Sequence, residues 1–498
     1  MPSVTEVGSL YSRPVGFVFV FNLIVGAGVL AMPKAFADAG WLAGTIFIII
    51  LCFFSFVTST FMVEAMALGN AWLQISGGSP DSDDESETSV QALVFSQKSD
   101  DNFSRRSLLT TSNKQPKNLF TISDRIEMGQ LATFFFNRVG IVLYYLCIVV
   151  YLYGDLAIYA TAIPKALTSV VCGSNGRSTN KTANHTSVND SRTDNCFGPH
   201  TVTKKQAYYI FLLGFTLILG PFVFFNVQKT KYLQIFTSAT RYIALVLMVV
   251  VSLIDILKNG NRVKPTLFRV THLPNLFGAL VYAFMCQHSL PSMITPIKNK
   301  KGLTAMLGFD FIAVTLFYVL IVYTAITRFP PGLIDDEYTN NFHLDTHVTK
   351  AYAFDVFSSY FIQLFPVFTL STNFPIIGVT LRNNLKSLFY REGRKFPFVV
   401  DRIVFPLLAV LPPVAVAFAT DNLGILVGIT GSYAGVGVQY VIPAMLVWCG
   451  RRQLATRGVN KINHHESVFS GNVWIVVVCF WSVASWLIVT VNNIVSRL

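Results

Sequence analysis

The stretch Asn22-Leu-Ile-Val-Gly26-Ala-Gly28-Val-Leu30-Ala-Met-Pro33 sets two glycines, a bare amide and a proline inside a run otherwise apolar enough to cross a bilayer. An unbroken helix is not available to it. Gly26 and Gly28 favour unwinding, and Pro33 removes a donor and clashes with the preceding turn. In hydrocarbon, freed N–H and C=O groups persist only where protein, a ligand, an ion or cavity water satisfies them. The first apolar segment is therefore expected to be a binding site as well as a membrane span.

Of 498 residues, 52% are hydrophobic and 13% charged, the profile of a polytopic membrane protein and not of a soluble enzyme. Stretches long enough to span a roughly 30 Å core begin near Pro14, Trp41, Ile141, Tyr208, Tyr232, Asn275, Thr304, Ala351, Asp401, Leu423 and Asn472, which predicts eleven transmembrane helices. The first lacks a basic leader with a small-residue cleavage site, so it is expected to stay in place as a span. Zinc, P-loop and nucleophile-elbow patterns are absent from the sequence, and no enzyme activity, cofactor or metal site is expected. The net charge of +12 is attributed to membrane topology and not to nucleic acid.

Basic clusters orient the chain. Lys298, Lys300 and Lys301, then Arg382 to Arg402, then Arg451, Arg452, Arg457 and Lys461 fall on the side of the N-terminus, which places that side in the cytosol. Lys258, Arg262, Lys264 and Arg269 run against the rule. An odd number of spans puts the C-terminus outside. The polar loop after span three agrees, because it holds Cys172 and Cys196 with the acceptors Asn180-Lys-Thr, Asn184-His-Thr and Asn189-Asp-Ser. Three sequons predict a glycosylated lumenal or extracellular loop, where a Cys172–Cys196 disulfide is expected.

The chain divides into residues 1–73 with spans one and two, 74–139 as a cytosolic segment, 140–168 as span three, 169–206 as the glycosylated loop, and 207–498 with spans four to eleven. Residues 74–118 are Ser-rich and of mixed charge, which predicts disorder. The run from Ile122 to Phe136 has apolar residues at helical spacing and predicts a short amphipathic helix on the cytosolic face.

A second interruption falls in span six, where Gln287, His288, Ser289 and Pro291 break the run that begins at Leu276. Five spans separate the two broken helices, so spans one to five and six to ten enter the membrane from opposite faces. That is a 5+5 inverted repeat with a broken first helix in each half, with a site at the midplane and span eleven as an addition.

Asn22-x-x-x-Gly26-x-Gly28-x-Leu30-x-x-Pro33 resembles the first-helix signature of the amino acid/auxin permease family. Phe284-x-Cys286 with His288 and Pro291 resembles its sixth helix, Tyr151-x-x-Gly154-Asp155 its third, and Gly428-x-x-Gly431-Ser432 before Pro443 its tenth. The segments from Asp124, Tyr151 and Phe374 more closely resemble an orphan branch of that family. The resemblance implies an eleven-helix, leucine-transporter-like fold and a secondary transporter of amino acids. The chain departs from the family where Gln287 separates Cys286 from His288, which affects the pocket for the ligand's side chain.

An amino acid carries a carboxylate and an ammonium, and each needs a partner inside a membrane. The N–H groups of Ala27, Gly28 and Val29, at the positive end of the half-helix after the first break, are assigned to the carboxylate. The carbonyls of Gly26 and of Tyr282, Ala283 or Phe284 are assigned to the ammonium. Close helix packing is the alternative use of the glycines. Family resemblance pairs Asn22 and the Val25 carbonyl with Ser371 and Thr372 of span eight as a sodium site, against hydroxyls that merely bond their own helix. The rival driving ion is a proton, with Asp155, Arg241 and His288 as relay candidates; Asp155 and Arg241 can instead pair, and His288 can be a neutral, hydrogen-bonded core residue. Glu64, Asp310 and Asp355 lie nearer span ends and are expected to be solvated or paired.

The expected partners are thus an amino acid, a sodium ion or proton, and the lipid bilayer, for a monomer resident in the lysosomal or plasma membrane. An amino acid-sensing receptor with little transport is the competing function.

Overall fold

The computed structural model describes residues 10–77, 119–172, 196, 202–225, 231–260, 265–342, 353–389, 396–459 and 462–495. The described residues are helical, with no strand beyond one parallel bridge between Tyr11 and Ile297. The sequons at Asn180, Asn184 and Asn189 and nearly all of the Ser-rich segment lie outside them.

Helix α1 (Arg13–Ile24) and helix α2 (Gly28–Ala39) meet at a 54° bend. Val25 leaves the helical region there, and Gly26 N–H folds back onto the Ile24 carbonyl at 2.8 Å. Gly40 ends α2 with φ 101°, a conformation that favours glycine, and the chain turns into the long apolar α3 (Trp41–Gly77). Of the predicted amphipathic stretch only α4 (Met128–Phe135) is helical. It is closed by reciprocal Glu127 and Gln130 capping, and Met128, Leu131, Ala132 and Phe135 are buried.

Helix α5 (Arg138–Cys172) leads to a disulfide from Cys172 to Cys196, with the Cα atoms 4.4 Å apart. Helix α6 (Lys204–Leu219) and helix α7 (Lys231–Asn259) follow. Helix α8 (Leu273–Phe284) then stops at Phe284 and resumes only as the short α9 (Leu290–Ile294), with Pro291 in its first turn. Helices α10 (Leu303–Arg328), α11 (Ala353–Phe389) and α12 (Phe405–Ala419) come next. The run Leu423–Thr456 starts as α13 (Leu423–Thr430), widens into π-turns at Gly431–Gly435 and Gly437–Val441, and ends as α14 (Ile442–Thr456). Helix α15 (Asn472–Val495) is last.

Among the described residues nine helices are long and apolar enough to cross a membrane, or ten if the bent α1–α2 pair is one span. Helix α8, where the sequence predicts the sixth span, belongs to a shorter apolar helix, Val270–Phe284. The chain is a polytopic all-α membrane protein.

Bare backbone holds the centre together. A Cβ on Gly278 of α8 would lie 2.0 Å from the Gly428 carbonyl oxygen, and one on Gly431 would lie 1.9 Å from the Gly278 carbonyl oxygen. Helix α8 and the α13 region therefore touch main chain to main chain, the arrangement that small residues permit between membrane helices. Two of the three charged residues read as near span ends behave as expected. Glu64 is paired, because Arg451 grips it at 2.6 and 2.7 Å, and Asp355 is exposed. Asp310 does not: it is fully buried and neither carboxylate oxygen has a partner.

Gly278→Val is expected to destabilise the fold by at least about 3 kcal/mol through overpacking. The check is loss of monodisperse purified protein and a lower thermal midpoint. Gly214→Ala, whose Cβ would meet nothing within 4 Å, should leave both unchanged.

Candidate functional site

The two helix breaks face each other. A Cβ on Gly28, the first residue of α2, would come within 2.7 Å of Ala283 Cα near the end of α8. A Cβ on Gly26 would meet nothing nearer than the Ile24 carbonyl at 3.9 Å. Gly28 thus serves close packing, whereas Gly26 borders open space. Tyr318 of α10 ties the breaks together by donating to both Ile24 O at 3.1 Å and Ala283 O at 2.9 Å. The amides of Ala27, Gly28 and Val29 open α2 and, like the first turn of any helix, have no partner within it. They form a positive end beside the carbonyl-rich end of α8, where Tyr282, Ala283 and Phe284 lie.

At the first break a guanidinium occupies the freed carbonyls. Arg241 Nη1 donates to Val25 O at 2.8 Å, to Asn22 O at 3.2 Å and to Asn22 Oδ1 at 3.4 Å. Asn22 Nδ2 in turn donates to Ser238 Oγ at 2.7 Å. Asn22 and Val25 therefore come together, but around Arg241. The Thr372 hydroxyl bonds its own helix through Thr369 O at 3.0 Å, and among the described residues no bond joins Ser371 or Thr372 to Asn22 or Val25.

The second break gathers the other ionisable groups. Asp155 is buried on α5 and accepts from the Tyr282 hydroxyl. It makes no ion pair with Arg241 among the described residues, so each ionisable group serves a different break. The His288 ring packs against Tyr151 with centroids 5.3 Å apart, and its Nδ1 is buried with no hydrogen-bond partner. The hydrogen-bonded histidine expected from the sequence is not found there.

Gln287 was legible as part of the interruption and as a departure from a motif, but not as what it proves to be, the polar bolt of this break. It is fully buried, its Nε2 lies 3.2 Å from Ser55 O, 3.1 Å from Thr58 Oγ1 and 3.3 Å from Ser59 Oγ, and its Oε1 accepts from Cys286 N–H at 3.0 Å. One amide thus pins the unwound segment to α3. The sequence signal for that role was the bare amide itself, which in hydrocarbon needs partners on a neighbouring helix.

At the end of the bundle that carries the disulfide, Lys165 of α5 pairs with Asp335 at 3.0 Å and with Asp336 at 3.8 Å. With Lys34 they line a cavity of about 230 Å³. Burial alone would push the Asp335 carboxyl up, but the Lys165 ammonium and the Glu337 N–H hold it below the usual range. Glu337 itself is fully buried with Oε1 unpartnered, and burial pushes its carboxyl up to about 8.

Comparison with known proteins bears on what such a site serves. The model of a family described as transmembrane amino acid transporter protein matches residues 12–71 and 111–493. The chain is 48% identical to transmembrane protein 104 of Homo sapiens over 498 residues, covering 99% of each chain. It is 40% identical to the transmembrane protein 104 homolog of Drosophila melanogaster over 98% of each chain, and 31% identical to that of Caenorhabditis elegans over 97% of this chain and 96% of the other.

The folded state holds more protons at Glu337 than the unfolded chain between its ordinary value of 4.5 and about 8, so this group makes stability fall as pH rises through that window. Glu337→Gln is expected to remove that slope. Thermal midpoints of the full-length protein at about pH 5.5 and about pH 8.5 should converge by a few degrees relative to wild type.

Proposed function

The chain belongs to the transmembrane amino acid transporter protein family, and from that premise we propose that it is a secondary transporter that carries an amino acid by alternating access, driven by protons. The observation that carries this reading is the juxtaposition of the two breaks: amides of Ala27, Gly28 and Val29 at the positive end of α2 lie against the carbonyl end of α8. The amides would receive the substrate carboxylate. The carbonyls of Gly26, Tyr282, Ala283 and Phe284 would receive the ammonium, with Asp155 behind Tyr282 as the nearby negative charge.

We count α8 with α9 as the sixth of eleven spans and the two broken crossings as the openings of two inverted halves. The N-terminus and the basic loops are assigned to the cytosol, and the sequon loop with the Cys172–Cys196 bridge to the lumenal or extracellular side. Residues 74–139 would then be cytosolic. Helix α8 in contact with α13, and α1 with α2, are the units that would rock against the rest.

Protons are preferred over sodium because of Arg241. A sodium ion needs five or six oxygens, and the carbonyls of Asn22 and Val25 and the Asn22 side chain already bond a guanidinium. Arginine does not release its proton in proteins, so Arg241 acts as a fixed charge and not as a relay member. A titrating role then falls to a carboxylate or to His288.

The test is uptake by the purified full-length protein in liposomes, screened with amino acids under an inward proton gradient. Uptake is expected to be unchanged when choline replaces sodium, and a sodium requirement would overturn the proton assignment. Gly28→Phe should abolish uptake, whereas Gly26→Ala should reduce it by less than about tenfold because its Cβ has room. Failure of every amino acid to exchange would end the transporter reading.

A further inference from the structure

Asp310 is anomalous in a way that neither helix depth nor family resemblance explains. It stands in the second turn of α10, between Phe309 and Phe311, and is fully buried. Phe309 is 68% exposed and Ile312 57% exposed on the lipid side, whereas Leu307, Phe311 and Val314 share the buried side with Asp310. The carboxyl therefore points into the bundle. Both of its oxygens are inaccessible and neither has a hydrogen-bond partner. Among the described residues it forms no ion pair.

An ionised carboxylate in that position would lose its hydration and gain nothing in return, at a cost of several kcal/mol. Asp155 is different, because a phenol hydroxyl donates to it. The groups facing Asp310 do not compensate it. Cys286 of the second break and Tyr242 of α7 lie within range of its charge, and neither is a cation. Cys52 of α3 contacts the neighbouring Phe311 carbonyl at 3.7 Å. The only ionisable residue of α1 is Arg13, at its first position beside Gly302, and those of α2 are Lys34 and Asp38, which pair with each other at 3.4 Å. In this state Asp310 is consequently a neutral acid.

The position of Asp310 connects it to the moving parts. Eight residues along α10, roughly 12 Å at 1.5 Å per residue, stands Tyr318, which bonds a carbonyl at each break. Phe311, the next residue, stacks on Phe284 at the end of α8, with centroids 6.3 Å apart. Phe317 packs against Phe21 of α1 at 6.1 Å. At the end of the bundle nearest Asp310, Tyr11 N–H donates to Pro296 O at 3.1 Å, Lys298 N–H to Tyr11 O at 3.0 Å, and the Tyr11 hydroxyl to Met293 O. While α1 is held there, no water reaches the carboxyl.

We propose that Asp310 is the group that carries the coupled proton, an inference that rests on the transporter reading above. With α1 latched at Tyr11, the carboxyl is dry and protonated. When α1 parts from Pro296–Lys298, water enters, the Oδ–H bond breaks heterolytically, the proton passes to that water and the electron pair stays on the carboxylate. The hydrated carboxylate must take up a proton again before α1 can close over it. Tyr318, on the same helix, links this event to both halves of the substrate site.

The decisive experiment uses the full-length protein in two measurements. In infrared spectra at neutral pH, where buried Glu337 contributes a protonated-acid carbonyl band of its own, wild type is expected to show additional intensity that is lost in Asp310→Asn and retained in Asp310→Glu. Identical bands in wild type and Asp310→Asn would overturn the proposal whatever the transport result. In liposomes with an inward gradient of one pH unit, wild type and Asp310→Glu should accumulate substrate up to about tenfold for one proton per molecule. Asp310→Asn should exchange substrate, slowed by no more than about tenfold, without accumulating it. Accumulation by Asp310→Asn equal to wild type would overturn the proposal while leaving the transporter intact. Absence of exchange by wild type would instead remove the transporter reading and this role with it. Thermal midpoints identify a variant that has failed to fold, in which case Asp310→Glu decides by retaining or losing that additional intensity.

Discussion

A backbone that leaves the helix inside a membrane must have its freed carbonyls and amides answered by something, and here that requirement is met from other helices. Arg241 reaches from α7 to the carbonyls of Asn22 and Val25. Tyr318 reaches from α10 to Ile24 and Ala283. Gln287 answers its own break and binds it to α3. Water is scarce in hydrocarbon, so each of these bonds lacks the competitor that would weaken it at a protein surface. Two breaks supported in this way form one polar centre, which the apolar remainder of the bundle encloses.

The same economy explains the chemistry available. A fixed guanidinium, a carboxylate held by a phenol and a carboxyl with no partner present three different electrostatic situations within one bundle. The first cannot lose its charge, the second accepts one hydrogen bond from a phenol, and the third has no partner on either oxygen. A family of transporters for small zwitterions is a natural owner of such an arrangement, because the substrate brings both signs of charge and leaves with both.

Much of this was readable in the sequence, and the misses share one cause. Gly26 and Gly28 announced the first break, whereas Pro33, read with them, sits inside the continuous helix α2, and Gln287, His288, Ser289 and Pro291 announced the second. The Cys172–Cys196 bridge was legible from two cysteines set in a polar loop. What a linear string does not contain is the direction in which a side chain points. Asp310 was read as lying near a span end, solvated or paired, whereas a single step of about 100° separates its buried carboxyl from the lipid-facing Phe309. Arg241 was read as a relay member or as the partner of Asp155, whereas it bonds the carbonyls of α1, since that choice depends on how α7 is rotated. The π-turns at Gly431–Gly435 and Gly437–Val441 were likewise hidden, because an extra residue per turn leaves no mark on hydropathy.

The bridge between Tyr11 and Ile297 has its own implication. Its two ladder hydrogen bonds run from peptide group to peptide group, and the Tyr11 hydroxyl adds a third to the Met293 carbonyl, so the fastening depends on side-chain identity at Tyr11 alone. Sequence drift at the other positions would preserve it, and a proline at Lys298, by deleting a donor, would sever half of the ladder at a stroke. A fastening made mostly of main chain tolerates substitution on either side of Tyr11 far better than the side-chain bonds of Arg241, Tyr318 and Gln287 tolerate it at the centre.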